Sequence, residues 1–145
     1  MAIPTRAARP GTFFVTTGTY NRRRLFQVTQ NVELLLETFQ HYRVEGYYLL
    51  HAFVAMPDHI HLLITPQAIT LERTMQLIKG GFSHRLASKS HIWQRGFTDH
   101  RIRNAEDFNT RHNYIHQNPV RAGLVTSAEL YPHSSAYCPP STPSS

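Results

Sequence analysis

The sequence predicts an α+β fold, a ferredoxin-like antiparallel sheet of about four to five strands with helices packed on one face. Three observations carry this expectation. Segments rich in β-branched and aromatic residues alternate with segments whose apolar residues recur at helical spacing. Their order is strand, helix, strand, strand, helix, strand or loop, helix, which suits one sheet layered against helices. A Pro57-Asp58 turn joins two apolar runs into a hairpin.

The elements follow in order. Thr12 to Tyr20 is β-branched and aromatic and reads as the first strand. Asn21 to Arg24 is a basic loop. Thr29 or Asn31 caps a helix running to about Val44, with Val32, Leu35, Leu36 and Phe39 at helical spacing and Gly46 as its stop signal. Tyr47 to Met56 is the second strand, folding back at Pro57-Asp58 onto a third that carries His59 and His61. Thr70 caps a second helix to about Ser88, with a stripe of Leu71, Met75, Ile78, Phe82 and Leu86. Arg85 and Lys89 lie one turn apart. Gly80-Gly81 inside that helix predicts a kink or a close approach, since each Gly costs about 1 kcal/mol relative to Ala. Ile92 to Ile102 supplies a fourth strand or a structured loop. Ala105 to Asn118 is a third helix with Ala105, Phe108, His112 and Ile115 inward, ended by Pro119. Past Val125 the pattern thins, and Pro139 to Ser145 reads as disordered. The expected organisation is one domain over 1–130 and a C-terminal tail over 131–145.

Composition bounds the function. The 145 residues carry 41% hydrophobic and 11% aromatic content, a globular composition. Lys and Arg total 15 against 9 Asp and Glu, a formal net charge of +6 that suits a nucleic-acid partner. Most of that positive charge is Arg, whose planar fork matches phosphate. The single cysteine, Cys138, leaves no intrachain disulfide and no Cys-based zinc cluster within one chain. With no apolar leader and no run near the ~20 apolar residues of a membrane span, the expectation is a cytoplasmic protein without a membrane partner.

Two constellations carry chemistry. In Met56-Pro57-Asp58-His59-Ile60-His61-Leu62-Leu63-Ile64, residues i and i+2 of a strand share a face. His59 and His61 therefore point the same way and can share one metal ion, while Ile60, Leu62 and Ile64 take the buried side. The strand is expected mid-sheet, its histidine face wet or lining a cleft. In Tyr114-Ile115-His116-Gln117-Asn118-Pro119, Tyr114 and Asn118 are four apart and lie on one helix face. Taken singly, each of these residues has a plain structural reading: a surface histidine, a packing tyrosine, a helix-ending asparagine. Together they offer four groups able to surround one phosphodiester.

Further motifs join these two. They are Val15-Thr16 with Tyr20-Asn21-Arg22-Arg23, Lys79, Trp93-Gln94-Arg95-Gly96-Phe97, Asp99-His100, Ile102-Arg103, Pro119-Val120-Arg121-Ala122-Gly123-Leu124-Val125, Tyr131-Pro132 and Ser134-Ser135. In this order and spacing the chain resembles the REP-associated tyrosine transposases, a group within the single-tyrosine HUH transposases that act on single-stranded DNA. One departure is His133, where the family pattern has an aromatic residue, usually Trp.

The resemblance implies that His59 and His61 are metal ligands, that Asn118 is a third ligand and that Tyr114 is the nucleophile. The implied activity is a metal-dependent single-stranded DNA endonuclease and strand transferase. It would form a 5′-phosphotyrosine intermediate on REP-type hairpin DNA. Two imidazoles and an amide suit Mn²⁺ slightly better than Mg²⁺, whereas cellular abundance and the family favour Mg²⁺. Asp58 is a candidate for orienting a histidine. Candidate DNA contacts are Arg22, Arg23, Arg24, Lys79, Arg85, Arg103 and Arg121, with Tyr20, Trp93 or Phe97 as stacking platforms. The expected assembly is a monomer or homodimer. The alternative is a non-catalytic, domesticated binder of structured nucleic acid. A zinc hydrolase ranks last, because no third His or carboxylate sits at a zinc-protease spacing.

Overall fold

The computed structural model describes residues 11–139. Its elements are β1 (Phe13–Gly18), α1 (Thr29–Val44), β2 (Tyr48–Met56), β3 (His59–Pro66), α2 (Leu71–Leu86), β4 (Thr98–Arg101) and α3 (Ala105–Arg121). The sheet order is β2-β3-β1-β4 and every neighbouring pair is antiparallel. A β-α-β-β-α-β run in this order is the ferredoxin-like arrangement, with α3 added after β4. The histidine strand β3 lies inside the sheet, between β2 and β1. Met56 pairs with His59 across the two-residue Pro57-Asp58 turn, so the hairpin forms as the sequence predicts.

Side-chain alternation along β3 sorts the core into two layers. Ile60, Leu62 and Ile64 join Val15, Val32, Leu35, Phe39, Met75, Ile78 and Phe82 in one cluster, under α1 and α2. The opposite face holds Ala52, Val54, Met56 and Leu63 with Ile115 of α3 and Tyr131. Two helices thus cover one face as expected, and the third crosses the other. The histidine side of β3 is accordingly not a wet surface: Leu63 is fully buried and His61 only 5% exposed. Ile115, fully buried at the centre of α3, supplies the apolar contact that holds the helix there.

The α1–α2 contact explains the Gly pair. A Cβ on Gly81 would stand 2.9 Å from Thr38 Cγ2 and 3.0 Å from Tyr42 Cε2, whereas one on Gly80 would meet nothing within 4 Å. Close approach at Gly81, not a kink, is the reason for glycine, and α2 runs through it unbroken.

Several helix ends differ from expectation. Val28 is the N-cap of α1 and makes no side-chain cap bond. Asn31 instead donates to the Leu25 carbonyl at 2.7 Å, tying the helix to the preceding turn. Thr70 does cap α2, accepting from the Arg73 N–H at 3.0 Å, but that helix ends at Leu86 with Ala87 in the left-handed region, leaving Lys89 outside it. Pro119 lies inside α3 and does not end it. The helix loses one N–H near its end, and Ala122 N–H to Asn118 O and Leu124 N–H to Pro119 O complete its final turn. Ala105, expected inward, is exposed at the first turn.

Residues 131–135, which the sequence places in a tail, are fastened to the edge of β2. Ala55 N–H donates to His133 O at 2.8 Å and Ser135 N–H to Phe53 O at 3.0 Å. The buried Tyr131 hydroxyl donates to Ala55 O at 2.7 Å. The stretch expected to be disordered lies, apart from Pro139, outside the described residues. Among the described residues no helix is long and apolar enough to cross a membrane.

Candidate active site

A cleft of about 940 Å³ opens where the ends of β1 and β3 meet α3 and the loop before β4. Its lining includes Thr16, Asn21, Arg22, Asp58, His59, His61, Gln94, Arg95, Tyr114 and Asn118. The four residues singled out for chemistry therefore share one cleft. Alternation on β3 brings the two imidazoles together, with ring centroids 4.8 Å apart and planes at 79°. One helical turn brings Asn118 beside Tyr114. The packing of α3 then sets the Tyr114 ring edge-on to His61, 5.6 Å between centroids.

Each histidine is held by its Nδ1. His59 Nδ1 lies 2.7 Å from Asp58 Oδ1, and His61 Nδ1 lies 2.7 Å from Thr16 Oγ1. If both Nδ1 atoms carry the proton and donate, both Nε2 lone pairs are free, the tautomer a metal ligand needs. Burial, with a smaller contribution from the charge of His59, pushes His61 down to about 3, so its ring is neutral at physiological pH. Burial also pushes the Asp58 carboxyl upward, but the His59 hydrogen bond, the His59 charge and the Arg22 guanidinium outweigh it and hold the group below the usual carboxylate range. Among the described residues no three His, Cys, Asp or Glu side chains group as metal ligands. The Asn118 amide lines the same cleft as the two histidines.

Tyr114 is 37% exposed and lines the cleft. Phe14 stacks on His61 at 5.3 Å and meets Tyr114 edge-on at 5.6 Å, wedging both rings. Arg121 covers the Tyr114 ring, its Cζ 4.4 Å from the centroid.

The candidate DNA contacts scatter. Arg22 lines the cleft and donates to Asp58 Oδ2 at 3.3 Å. Arg23 turns to Ser90 Oγ and the His91 carbonyl, and Arg24 is exposed at the adjoining turn. Lys79 donates to the Gln94 and Gly96 carbonyls at 3.0 and 2.8 Å, so it pins the loop forming one cleft wall. Arg85 bonds Gly81 O beside α1, on the far face of the sheet. Arg103 lies near Asp107 at the start of α3. Of the aromatic platforms, Tyr20 and Phe97 line the cleft, while Trp93 packs against Phe26 and Phe82 and donates to Lys79 O.

Sequence reading missed Thr16 and Phe14 as partners of His61. Both lie on the His61-facing side of β1, and Thr16 pairs directly with His61. The alternation Phe14, Thr16, Gly18 is visible in the sequence, but the register that aligns it with β3 is not. Gln94 was missed as well: its Oε1 would stand 3.1 Å from a Cβ on Gly18, so glycine there lets the side chain lie across the end of β1.

Known proteins resemble this chain in sequence and in fold. A family model described as transposase IS200 like matches residues 13–118. The REP-associated tyrosine transposase of Escherichia coli K12 is 32% identical over 126 residues, 86% of this chain and 75% of that protein. A putative REP-associated tyrosine transposase of Haemophilus influenzae is 31% identical over 114 residues, covering 68% of this chain and 62% of its own length. A solved REP-associated tyrosine transposase bound to a REP hairpin superposes with TM-score 0.79 at 28% identity, over 93% of this chain and 82% of that one. A putative transposase from Deinococcus radiodurans, 15% identical with TM-score 0.51 over 79% of this chain and 95% of that one, shares the fold. With the model spanning both sheet histidines and the helix tyrosine, the chain belongs to the IS200-like transposase family and, within it, to the REP-associated tyrosine transposases.

Proposed function

We propose that this chain cuts and rejoins single-stranded DNA through Tyr114, in a metal-dependent transesterification on hairpin-forming DNA. The observation that carries the reading is the convergence of Tyr114, His59, His61 and Asn118 on one cleft. The hairpin substrate is taken from the relative whose structure holds a REP hairpin.

His59 Nε2, His61 Nε2 and the Asn118 amide oxygen are the donors that would hold a divalent cation, Mg²⁺ or Mn²⁺. Such an ion, when bound, draws charge from the phosphate oxygens and makes the phosphorus a better electrophile. The chain's own residues do the rest. Asp58 and Thr16 fix the two imidazoles, and Phe14 and Arg121 fix the phenol ring. Tyr114 Oη forms a bond to phosphorus as the bond to the 3′ oxygen breaks. The phenol proton passes to solvent and the departing oxygen takes one up. The products are a 5′-phosphotyrosine adduct and a free 3′-OH. Because the adduct conserves the phosphodiester's energy, a second 3′-OH can attack it and release Tyr114 without ATP.

The test uses a single-stranded hairpin oligonucleotide labelled at its 3′ end. With Mg²⁺ or Mn²⁺ the label should migrate with the protein on a denaturing gel, and a chelator should abolish the shifted band. Hairpin binding that persists under chelation with no adduct would favour the non-catalytic reading instead.

A further inference from the structure

We infer that Arg121 is a positioning residue for the nucleophile, holding the Tyr114 ring in its attacking orientation and making no contribution to DNA affinity. The inference rests on the reading of Tyr114 as nucleophile.

Arg121 engages Tyr114 twice. Its guanidinium Cζ stands 4.4 Å over the phenol ring, and its Nη2 donates to the Tyr114 carbonyl at 3.1 Å. Residues seven apart in a helix lie about two turns apart on nearly the same face. Arg121 therefore reaches back over Asn118 to Tyr114. Pro119, buried within that span, restricts the backbone between them.

The remaining freedom of a helix tyrosine lies in its χ1 and χ2 rotations. Phe14 and His61 meet the ring edge-on from the sheet side. Arg121 covers a face of the ring, its Cζ 4.4 Å from the centroid. Removing it takes away the contact on that face and leaves Phe14 and His61 to hold the phenol from the sheet side. Arg121 itself is not among the cleft-lining residues, whereas Tyr114 and Asn118 are. A cation set behind the nucleophile acts on the phosphate through the tyrosine. A flat guanidinium suits this role better than an ammonium, because it stacks and hydrogen-bonds together.

The test separates rate from affinity in the full chain. Single-turnover cleavage of a labelled hairpin is measured at saturating protein for wild type, Arg121→Ala and Arg121→Lys, with Kd from gel shift in EDTA. The expected result is a rate about tenfold lower for Arg121→Ala, in line with a cation–π contact of ordinary strength. Its Kd should stay within about twofold of wild type, and Arg121→Lys should recover part of the rate. A weakened Kd with an unchanged saturated rate would make Arg121 a DNA contact and overturn the inference, as would no change in either. Should Arg121→Ala fail to fold, Arg121→Lys alone must show the slowed rate at unchanged Kd. Tyr114→Phe runs alongside: continued adduct formation there would defeat the nucleophile reading itself, which is a different failure.

Discussion

Thr16 Oγ1 lies 2.7 Å from His61 Nδ1, across the β1–β3 pairing that sets the two residues directly opposite each other. The hydroxyl fixes the ring of a histidine that is only 5% exposed. Thr16→Val keeps the strand shape and removes the hydrogen bond. With His61 as a ligand in the proposed metal site, manganese affinity measured by calorimetry should fall by about 10- to 100-fold, the usual cost of removing a ligand's orienting partner. Thr16→Ser should restore most of it. An unchanged affinity in Thr16→Val would mean that His61 needs no such partner.

The adjacent glycines of α2 should respond in opposite directions. Gly80→Ala places a methyl in open space on a helix and should stabilise by about 0.5–1 kcal/mol. Gly81→Ala drives a Cβ into Thr38 and Tyr42 and should destabilise by about 1–3 kcal/mol. Urea unfolding of the two variants decides this, and equal midpoints would show that the α1–α2 approach is looser than described.

Asp107 organises the start of α3. Its carboxylate accepts from the Arg103 N–H at 2.9 Å and pairs with His100 Nε2 at 2.8 Å, and these hold the group below the usual carboxylate range, the Arg103 bond foremost. A depressed folded-state value means the stabilisation is present above the unfolded value of about 3.9 and is lost as pH falls through the folded one. Asp107→Asn should therefore lower Tm at pH 7, and the gap to wild type should narrow below about pH 4. A gap constant from neutral pH down to about pH 3 would contradict the assignment.

Local chemistry made most of the frame legible in the sequence. The Pro57-Asp58 turn, the alternation that sets His59 and His61 against Ile60, Leu62 and Ile64, and the Thr70 cap are all short-range signals. Each feature sits where those signals place it. What stayed hidden depends on contacts between distant segments. The side of the sheet that α3 covers follows from Ile115 sharing one buried cluster with Leu63 and Val54, and nothing local announces that packing. Pro119 reads as a helix end because its missing N–H is a local fact, whereas the burial that carries the helix past it is a tertiary one. The same holds for residues 131–135: their polar, Pro-containing sequence looks like a tail until the free edge of β2 is there to pair with them.

At the site, spacing was enough to group His59 with His61 and Tyr114 with Asn118, because one strand step and one helix turn fix each pair. The basic residues carried no such constraint. Arg22 reaches the cleft, while Lys79 is spent on the Gln94 and Gly96 carbonyls and Arg85 faces α1. A long side chain's direction depends on the nearest acceptor, which sequence position does not reveal.

On the proposed mechanism Tyr114 becomes covalently joined to DNA. The most direct test is mass-spectrometric mapping of the protein after incubation with single-stranded hairpin DNA and Mn²⁺, followed by nuclease trimming. The expected result is a nucleotide 5′-phosphate on the peptide containing Tyr114, and neither adduct nor cleavage in Tyr114→Phe. An adduct on another residue, or undiminished cleavage by Tyr114→Phe, would contradict it.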